Sequence, residues 1–480
     1  YDVSDRLYFE ELSLERVLDV YEQEQAWGLV VSVGGQIPQN LAKPLHDRGA
    51  RVLGTSPDDI DRAEDRHKFS SLLDDLGVDQ PPWRELQSVK DAQAFAAEVE
   101  YPVLVRPSFV LSGAAMKVAT SDSELAAFLG DAADVSPDHP VVVSKFIRNA
   151  KEIEFDAVCR DGTIMNYAIS EHVENAGVHS GDSACAIPPP NLSAETQSVI
   201  VDYAKRIAER LKVVGLLNVQ FAVKQGQVFV IEANPRASRT VPFVAKATGV
   251  QLAKVAARVM AGETLSELRR IGVLTEAIRD GHVAVKEAVL PFQRFPDVDT
   301  VLGPEMRSTG EVMGIDRTFG LAFAKSQIAA GEGLPVNGTI FISLADRDKE
   351  AGIAAAKNFV DLGFQIAATS GTAAFFKEHL IEVDAVVAKL SDEGREISAG
   401  VDAVELIAAG QVRLVINTPR GSGPRVDGYR IRQTATAHKI PCLTTVAAAR
   451  AAAVGIGEWI ANPLRVRSLQ EYLSPKSELS

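Results

Sequence analysis

Two neighbouring apolar segments, Leu216 to Val223 and Val228 to Ala233, lead into the sequence Asn234-Pro235-Arg236 and carry the densest set of chemistry-bearing residues in the chain. Alternate side chains of an extended strand share a face, so Glu232 and Asn234 project together from an otherwise apolar strand. Gln220 lies six residues before Gly226 and Glu232 six after it. A hairpin centred on Gly226 therefore sets Gln220 opposite Glu232, and three oxygen-bearing side chains converge. Such a trio suits a hard cation, Mg²⁺ or Mn²⁺, with phosphate oxygens completing its shell. Pro235 ends the strand, and Arg236 and Arg239 follow where they can face the charge of a transferring phosphoryl group. A surface hairpin with a structural salt bridge is the plain alternative, and three polar side chains on one face count against it.

Other signals are weaker singly. Arg106 ends an apolar strand before the small-residue loop Pro107 to Ala114, whose backbone N–H groups could approach phosphates, although an ordinary turn also carries Ser and Gly. Glu152 opens a strand and suits a ribose hydroxyl or a solvated strand edge. His179 sits in GVHSGDS, a loop able to grip a ligand or to carry an incidental histidine. Near the C-terminus, Thr369 to Thr372 follow one strand and Asn417-Thr418 another. Ligands of open parallel sheets bind beyond the carboxyl ends of strands, where helix N-termini attract phosphate. Lys349 and Lys389 add charge there; helix capping explains one such Thr more readily than two clusters.

The elements that must hold these residues divide 480 residues into about three domains. An α/β unit without its first strand opens the chain, with a helix near Ser13 to Gln25, strands at Gly28 to Val33 and Arg51 to Gly54, and a helix ending at Asp47. A charged helix from Asp58 to Leu76 leads to a mixed α+β region with strands at Pro102 to Arg106, Ala115 to Ala119, Val141 to Phe146 and Ile153 to Cys159. A helix from Ser193 to Leu211 precedes the hairpin, and an Ala-rich helix from Val250 to Gly262 follows it. Beyond a Gly- and Pro-containing linker at Gly331 to Gly338, strands and helices alternate briskly, the pattern of a separate parallel-sheet domain.

Composition limits the function classes. Hydrophobic residues at 46% and charged residues at 24% are those of a globular chain. No apolar run reaches the length of a membrane span. A net charge of −14 argues against wholesale binding to nucleic acid or anionic membrane, so any phosphate site must be local. Cys159, Cys185 and Cys442 are odd in number and far apart, which points to thiols in a reducing cytoplasm. No targeting leader is visible, and the first unit is expected to be N-terminally incomplete.

Together, Gln220, Glu232, Asn234, Pro235 and Arg236, AGVHSGDSAC (176–185), RPSFVLSGAAM (106–116) and VLGPEMRSTGEVMG (301–314) resemble the large subunit of carbamoyl phosphate synthetase, more narrowly its C-terminal half. The likeness runs from Tyr1 to beyond Gly455. It implies a pre-ATP-grasp α/β unit over 1–60, an ATP-grasp domain over 61–262, a connecting segment over 263–330 and, over 335–475, a Rossmann-like parallel-sheet domain of methylglyoxal-synthase type. It implies phosphorylation of carbamate, with Gln220, Glu232 and Asn234 on two Mg²⁺ or Mn²⁺ ions and Arg236 and Arg239 on the reacting groups. Arg66, Arg106, Lys145, Ile147, Glu152 and Gly177, Val178, His179 and Ser180 would surround ATP. Lys349, Thr369, Thr372, Lys389, Asn417 and Thr418 would bind a phosphorylated allosteric effector, and Glu174, Asp182 and Glu287 mark a possible ornithine site.

The likeness also implies partners: an N-terminal half that makes carboxyphosphate and carbamate, a glutaminase that supplies ammonia, and an oligomeric assembly serving pyrimidine and arginine synthesis. Ser112 and Ala114 stand where many bacterial relatives have Gly and Arg, so loop closure is expected to differ. Two other readings stay open: a regulatory binding module idle without the other half, and a methylglyoxal-forming lyase, which leaves the metal trio unexplained.

Overall fold

The computed structural model describes residues 4–86, 88–107, 116–135, 141–278, 281–295, 297–387, 402–419 and 426–474. The chain divides into two compact units, Tyr1–Ser170 with Asn191–Ile278, and Glu171–Pro190 with Arg279–Ser480.

The first unit opens with parallel strands Leu29–Val30 and Val52–Leu53, closed over a small core of Val31, Ala42, Leu45, Ala50 and Ile60. The helix expected to end at Asp47 is two, Gln36–Asn40 and Ala42–Asp47. The charged helix expected over 58–76 is also two, Pro57–Glu64 and Arg66–Leu76. Asp65 between them is extended, and its carboxylate accepts the Lys68 N–H at 2.9 Å, an N-cap that restarts the helix on a new axis. Arg66 thereby becomes the first residue of a helix.

An antiparallel four-stranded sheet follows, in the order Trp83–Leu86, Val141–Lys145, Val103–Pro107, Lys117–Ala119. Its core of Phe95, Val103, Val105, Leu125 and Val143 lies between it and the helices Val89–Val99 and Asp122–Val135. Three antiparallel strands then carry the chemistry: Lys151–Arg160, Gly215–Lys224 and Gln227–Asn234. One face of the three is apolar. Ile153, Phe155, Leu217, Val219, Phe221, Val228 and Val230 pack with Phe69 and Leu73 of Arg66–Leu76 and with Ile200, Ala204 and Ile207 of the helix Ala194–Arg210. Each such burial stabilises by about 1.5–3 kcal/mol for a large side chain, and together these contacts fix which face remains for polar groups.

In the second unit, strands Cys185–Ile187, Val283–Val289 and Gly310–Asp316 are antiparallel, and the helix Phe319–Ala330 lies on them. Gly314 makes that approach possible: a Cβ there would overlap the Ala322 carbonyl oxygen. The expected parallel-sheet domain is present, five strands in the order Ala385–Val387, Gln365–Thr369, Thr339–Ser343, Leu414–Asn417, Cys442–Leu443, all parallel. Apolar clusters lie on both its faces. Among the described residues, no helix is long and apolar enough to cross a membrane.

Candidate active site

The polar face of the first unit's three strands is a grid. Gln220 pairs with Glu232 on one side and Glu154 on the other, and Asn218 pairs with Asn234 and Asp156. Directly opposed residues share a face, so six polar side chains stand together above an apolar sheet. The pairing of Gln220 with Glu232 is the one expected, but its cause differs. The turn is Gln225–Gly226, both with positive φ (52° and 82°), half a residue earlier than a hairpin centred on Gly226. A regular ladder from that turn would set Gln220 against Ile231. A bulge between Phe221 and Gln220 absorbs Ile231 and restores the pair with Glu232.

The bulge also redirects the Ile231 carbonyl, which accepts Arg66 Nη1–H at 3.2 Å. Arg66 Nη2 then reaches Glu232 Oε2 at 2.5 Å. Asn234 Nδ2 donates to Glu232 Oε1 at 3.0 Å, leaving Asn234 Oδ1 to accept Arg236 Nη2–H at 3.2 Å. Burial alone would raise the Glu232 carboxyl; Arg66, the Asn234 hydrogen bond and Arg236 outweigh it and hold the pKa at about 2. Glu232 is therefore ionised at every physiological pH. Burial beside Arg66 draws Arg106 down to about 9, partly offset by Glu232, so it stays charged at neutrality.

These groups suit the expected ligands. Gln220, Glu232 and Asn234 offer oxygens, the donors a hard divalent cation takes. The Nε atoms of Arg106 and Arg236 are buried without a hydrogen-bond partner, donors for which an incoming phosphate would provide acceptors. Among the described residues, no group of three His, Cys, Asp or Glu side chains could hold a metal; in the expected trio two of the three oxygens would be the amide oxygens of Gln220 and Asn234.

Three neighbours escaped the sequence reading. Ser32 accepts the Ala237 N–H at 2.9 Å, and the buried Gln39 donates to the Pro235 carbonyl at 3.5 Å. The small N-terminal α/β layer thus grips the arginine-bearing loop. Glu64, which reads as part of a solvated charged helix, is pushed to about 7, chiefly by burial, with Arg236 opposing and Asp61 and Glu232 adding to the rise. Of the other expected nucleotide residues, Lys145 donates to the Glu100 carbonyl at 2.7 Å, Ile147 lies just beyond the strand Val141–Lys145, and Glu152 pairs with Ala222 on the grid's face. The loop between Arg106 and Met116 lies outside the described residues over 108–115.

The Glu232 carboxyl lies below its ordinary value of 4.5 in the folded chain, so its contribution, up to about 3 kcal/mol, is present above pH 4.5 and lost as pH falls toward 2. Urea midpoints measured across that range should fall more steeply for the wild type than for Arg66→Met.

The second unit holds the remaining candidates. Gly177 has φ 114°, the His179 N–H donates to the Gly303 carbonyl at 2.8 Å, and Lys286 Nζ donates to the Ser180 carbonyl at 3.1 Å. Asp182, named as a possible ornithine ligand, has both carboxylate oxygens on backbone N–H groups, of Arg307 at 2.7 Å and Ser308 at 2.9 Å. Glu174 accepts the Ala184 N–H at 2.9 Å. Burial pushes Glu287 well above the usual range, with Glu174 and Glu332 adding to it.

Thr369 and Thr372 at the carboxyl end of Gln365–Thr369, and Asn417 and Thr418 at that of Leu414–Asn417, flank the end of the central strand Thr339–Ser343, and all four are buried. Thr372 and Thr418 also brace the turn after the central strand, accepting the N–H groups of Leu344 at 3.1 Å and Ala345 at 2.8 Å. Lys349 stands 2.8 Å from Asp346, and Lys389 lies outside the described residues. The sequence reading missed Arg432, 3% exposed in its side chain, which donates to Asn417 Oδ1 at 2.6 Å and is paired with Asp299 at 2.5 Å.

Comparison with known proteins places this arrangement. Residues 65–268 match the carbamoyl-phosphate synthase L chain ATP-binding domain, 351–444 an MGS-like domain, and 1–62 the carbamoyl phosphate synthase preATP-grasp domain. The carbamoyl phosphate synthase large chain, C-terminal section, of Methanopyrus kandleri is 48% identical over 462 residues, which cover 95% of this chain and 84% of that protein. The chain belongs to the carbamoyl phosphate synthase large-chain family.

Full-length large chains of the family are equally similar over part of their length. That of Archaeoglobus fulgidus is 49% identical over 98% of this chain but 43% of its own, so the chain spans less than half of such relatives. The fold extends further: the biotin carboxylase domain of the Hydrogenobacter thermophilus 2-oxoglutarate carboxylase superposes with a TM-score of 0.55 at 17% identity, covering 67% of this chain and 78% of that one. In this large-chain family member, the ATP-binding domain is thus an ATP-grasp fold joined to an MGS-like parallel-sheet domain.

Proposed function

We propose that this chain is the half of a glutamine-dependent carbamoyl phosphate synthetase that phosphorylates carbamate with MgATP. A carbamate oxygen attacks the γ-phosphorus in line, the β–γ bridging P–O bond breaks, and ADP and carbamoyl phosphate form. The observation that carries the reading is the Glu232 carboxylate, kept ionised among three arginines and opposite Gln220. Gln220, Glu232 and Asn234 would hold Mg²⁺ or Mn²⁺, two per site, whose charge offsets that of the phosphate oxygens. Arg106 receives the anion through its buried Nε, Lys145 and Glu152 serve the nucleotide, and Arg236 and Arg239 meet the charge spread over the moving phosphoryl group. The biotin carboxylase domain of related fold was solved with MgADP, in keeping with a magnesium nucleotide.

The same reading takes a carboxyphosphate- and carbamate-forming half and a glutaminase as partners in an oligomer serving pyrimidine and arginine synthesis. Three thiol cysteines suit a reducing cytoplasm. At the parallel-sheet ends, Lys349, Thr369, Thr372, Asn417 and Thr418 offer donors for a phosphorylated effector. Glu174 and Glu287 offer carboxylates for an amino group such as that of ornithine.

The test is ATP formation by the purified chain from MgADP and carbamoyl phosphate. Turnover proportional to enzyme is expected. A folded, ADP-binding chain that makes no ATP would leave the second reading, an effector-binding fragment inactive without its other half.

A further inference from the structure

The same grid holds two acidic groups that the proposed reaction does not use directly. Glu154 and Asp156, each 1% exposed, occupy alternate positions of the strand Lys151–Arg160 and so share the polar face. Two carboxylates that deep are costly unless their oxygens are fully engaged. Two of their partners come from one loop. Ser238 Oγ donates to Asp156 Oδ1 at 2.6 Å. Thr240 Oγ1 lies 2.5 Å from Asp156 Oδ2 and 2.7 Å from Glu154 Oε2, and the two hydroxyls are 2.8 Å apart. Asn218 Nδ2, on the neighbouring strand Gly215–Lys224, lies 3.0 Å from Asp156 Oδ1 and 3.3 Å from Glu154 Oε2.

Ser238 and Thr240 flank Arg239, and Arg236 lies two residues before Ser238. Thr240 is also the N-cap residue of the helix Val241–Thr248, yet its side chain makes no capping bond. A threonine at that position would ordinarily satisfy a helix N–H; here the hydroxyl faces the buried carboxylates instead. From the other side, the Ser32 carbonyl takes the Ala237 N–H and Gln39 holds the Pro235 carbonyl. The loop from Pro235 to Thr240 is thus pinned at both ends.

We infer that Glu154 and Asp156, acting through Ser238 and Thr240, are positioning residues that hold Arg236 and Arg239 in the geometry phosphoryl transfer requires. The inference rests on the proposed function. Its physical basis is that a catalytic cation helps only if fixed in advance where charge develops, and a displacement near 1 Å costs on the order of 100-fold in rate. None of the proposed metal and nucleotide ligands lies on this loop. Loosening the loop should therefore reduce kcat and spare nucleotide binding.

The experiment compares wild type, Thr240→Val, Thr240→Ser and Ser238→Ala in ATP synthesis from MgADP and carbamoyl phosphate, with MgADP affinity by calorimetry and thermal unfolding measured in parallel. Thr240→Val keeps the shape and removes the hydroxyl. It should lower kcat by about 10- to 100-fold with the MgADP Kd changed less than about twofold. Thr240→Ser, which keeps the hydroxyl, should recover most of the loss, and Ser238→Ala should fall between. Wild-type kcat in Thr240→Val overturns the inference, as does a Thr240→Ser variant equally impaired, or a kcat loss matched by a comparable rise in Kd. A folded wild type that makes no ATP removes the proposed function, and this inference with it; an active wild type with an active Thr240→Val removes this inference alone.

Discussion

Glu232→Gln should abolish ATP synthesis from MgADP and carbamoyl phosphate, by about 1,000-fold or more, in a chain that still folds. The substitution keeps the shape, and the Gln amide can still accept from Arg66 and Asn234 through its one oxygen. What disappears is the full negative charge in the oxygen trio. That loss weakens the hold on a divalent cation and leaves Arg66, Arg106 and Arg236 mutually repulsive around a neutral side chain. Folding should survive because the apolar face of the three strands is untouched: Phe155, Val219, Phe221 and Val230 keep their contacts. The measurement is turnover alongside circular dichroism and thermal unfolding. Activity within about tenfold of wild type would remove Glu232 from the reaction centre.

The second large effect concerns stability and is asymmetric. The Arg432 side chain is 3% exposed and that of its partner Asp299 23%. Burial works to raise the Asp299 carboxyl, but the hydrogen bonds and charge of Arg432 hold it below the usual range. Asp299→Asn leaves a buried guanidinium beside the neutral Asn417, a loss of about 3–5 kcal/mol. Arg432→Met leaves a carboxylate that solvent can still reach, and the loss should be smaller. Asp299→Asn with Arg432→Met removes both charges and should be less destabilised than Asp299→Asn alone. At about 2–4 °C per kcal/mol, the Asp299→Asn transition of the second unit should move down by roughly 10 °C. Equal shifts for the two single variants would mean that Arg432 is solvated in the folded chain.

The contrast between what the residues announced and what they concealed is physical. Gln220, Glu232 and Asn234 were legible because polar side chains at two-residue spacing on an apolar strand have few structural reasons to exist. The bulge was legible only in principle: Val228 and Val230 point inward, and so does Ala233, a change of parity that needs one extra residue. Asp65 was hidden because a capping carboxylate between charged residues reads as more solvated helix. The strand Thr163–Asn175 escaped because its stretch from Ala168 to Val173 is buried at every position and includes Ser170, Glu171 and His172, so no alternation survives. The helix Phe319–Ala330, buried nearly all round, lacks the polar stripe that would announce it. Arg432 and Asp299 lie 133 residues apart, beyond any local pattern. The parallel-sheet domain was the easiest to read, since its short, largely apolar strands alternate with helices.

Gln227–Asn234 is also the outermost strand of its sheet. Such an edge carries unpaired backbone groups that invite a strand from another molecule, the first step of many aggregation reactions. Here the outward Val230 N–H is taken by the Asp79 carbonyl at 2.8 Å, and the displaced Ile231 carbonyl by Arg66. The irregularity that orients Glu232 therefore also blunts the edge. Loss of Arg66 should accordingly make the chain stickier as well as slower.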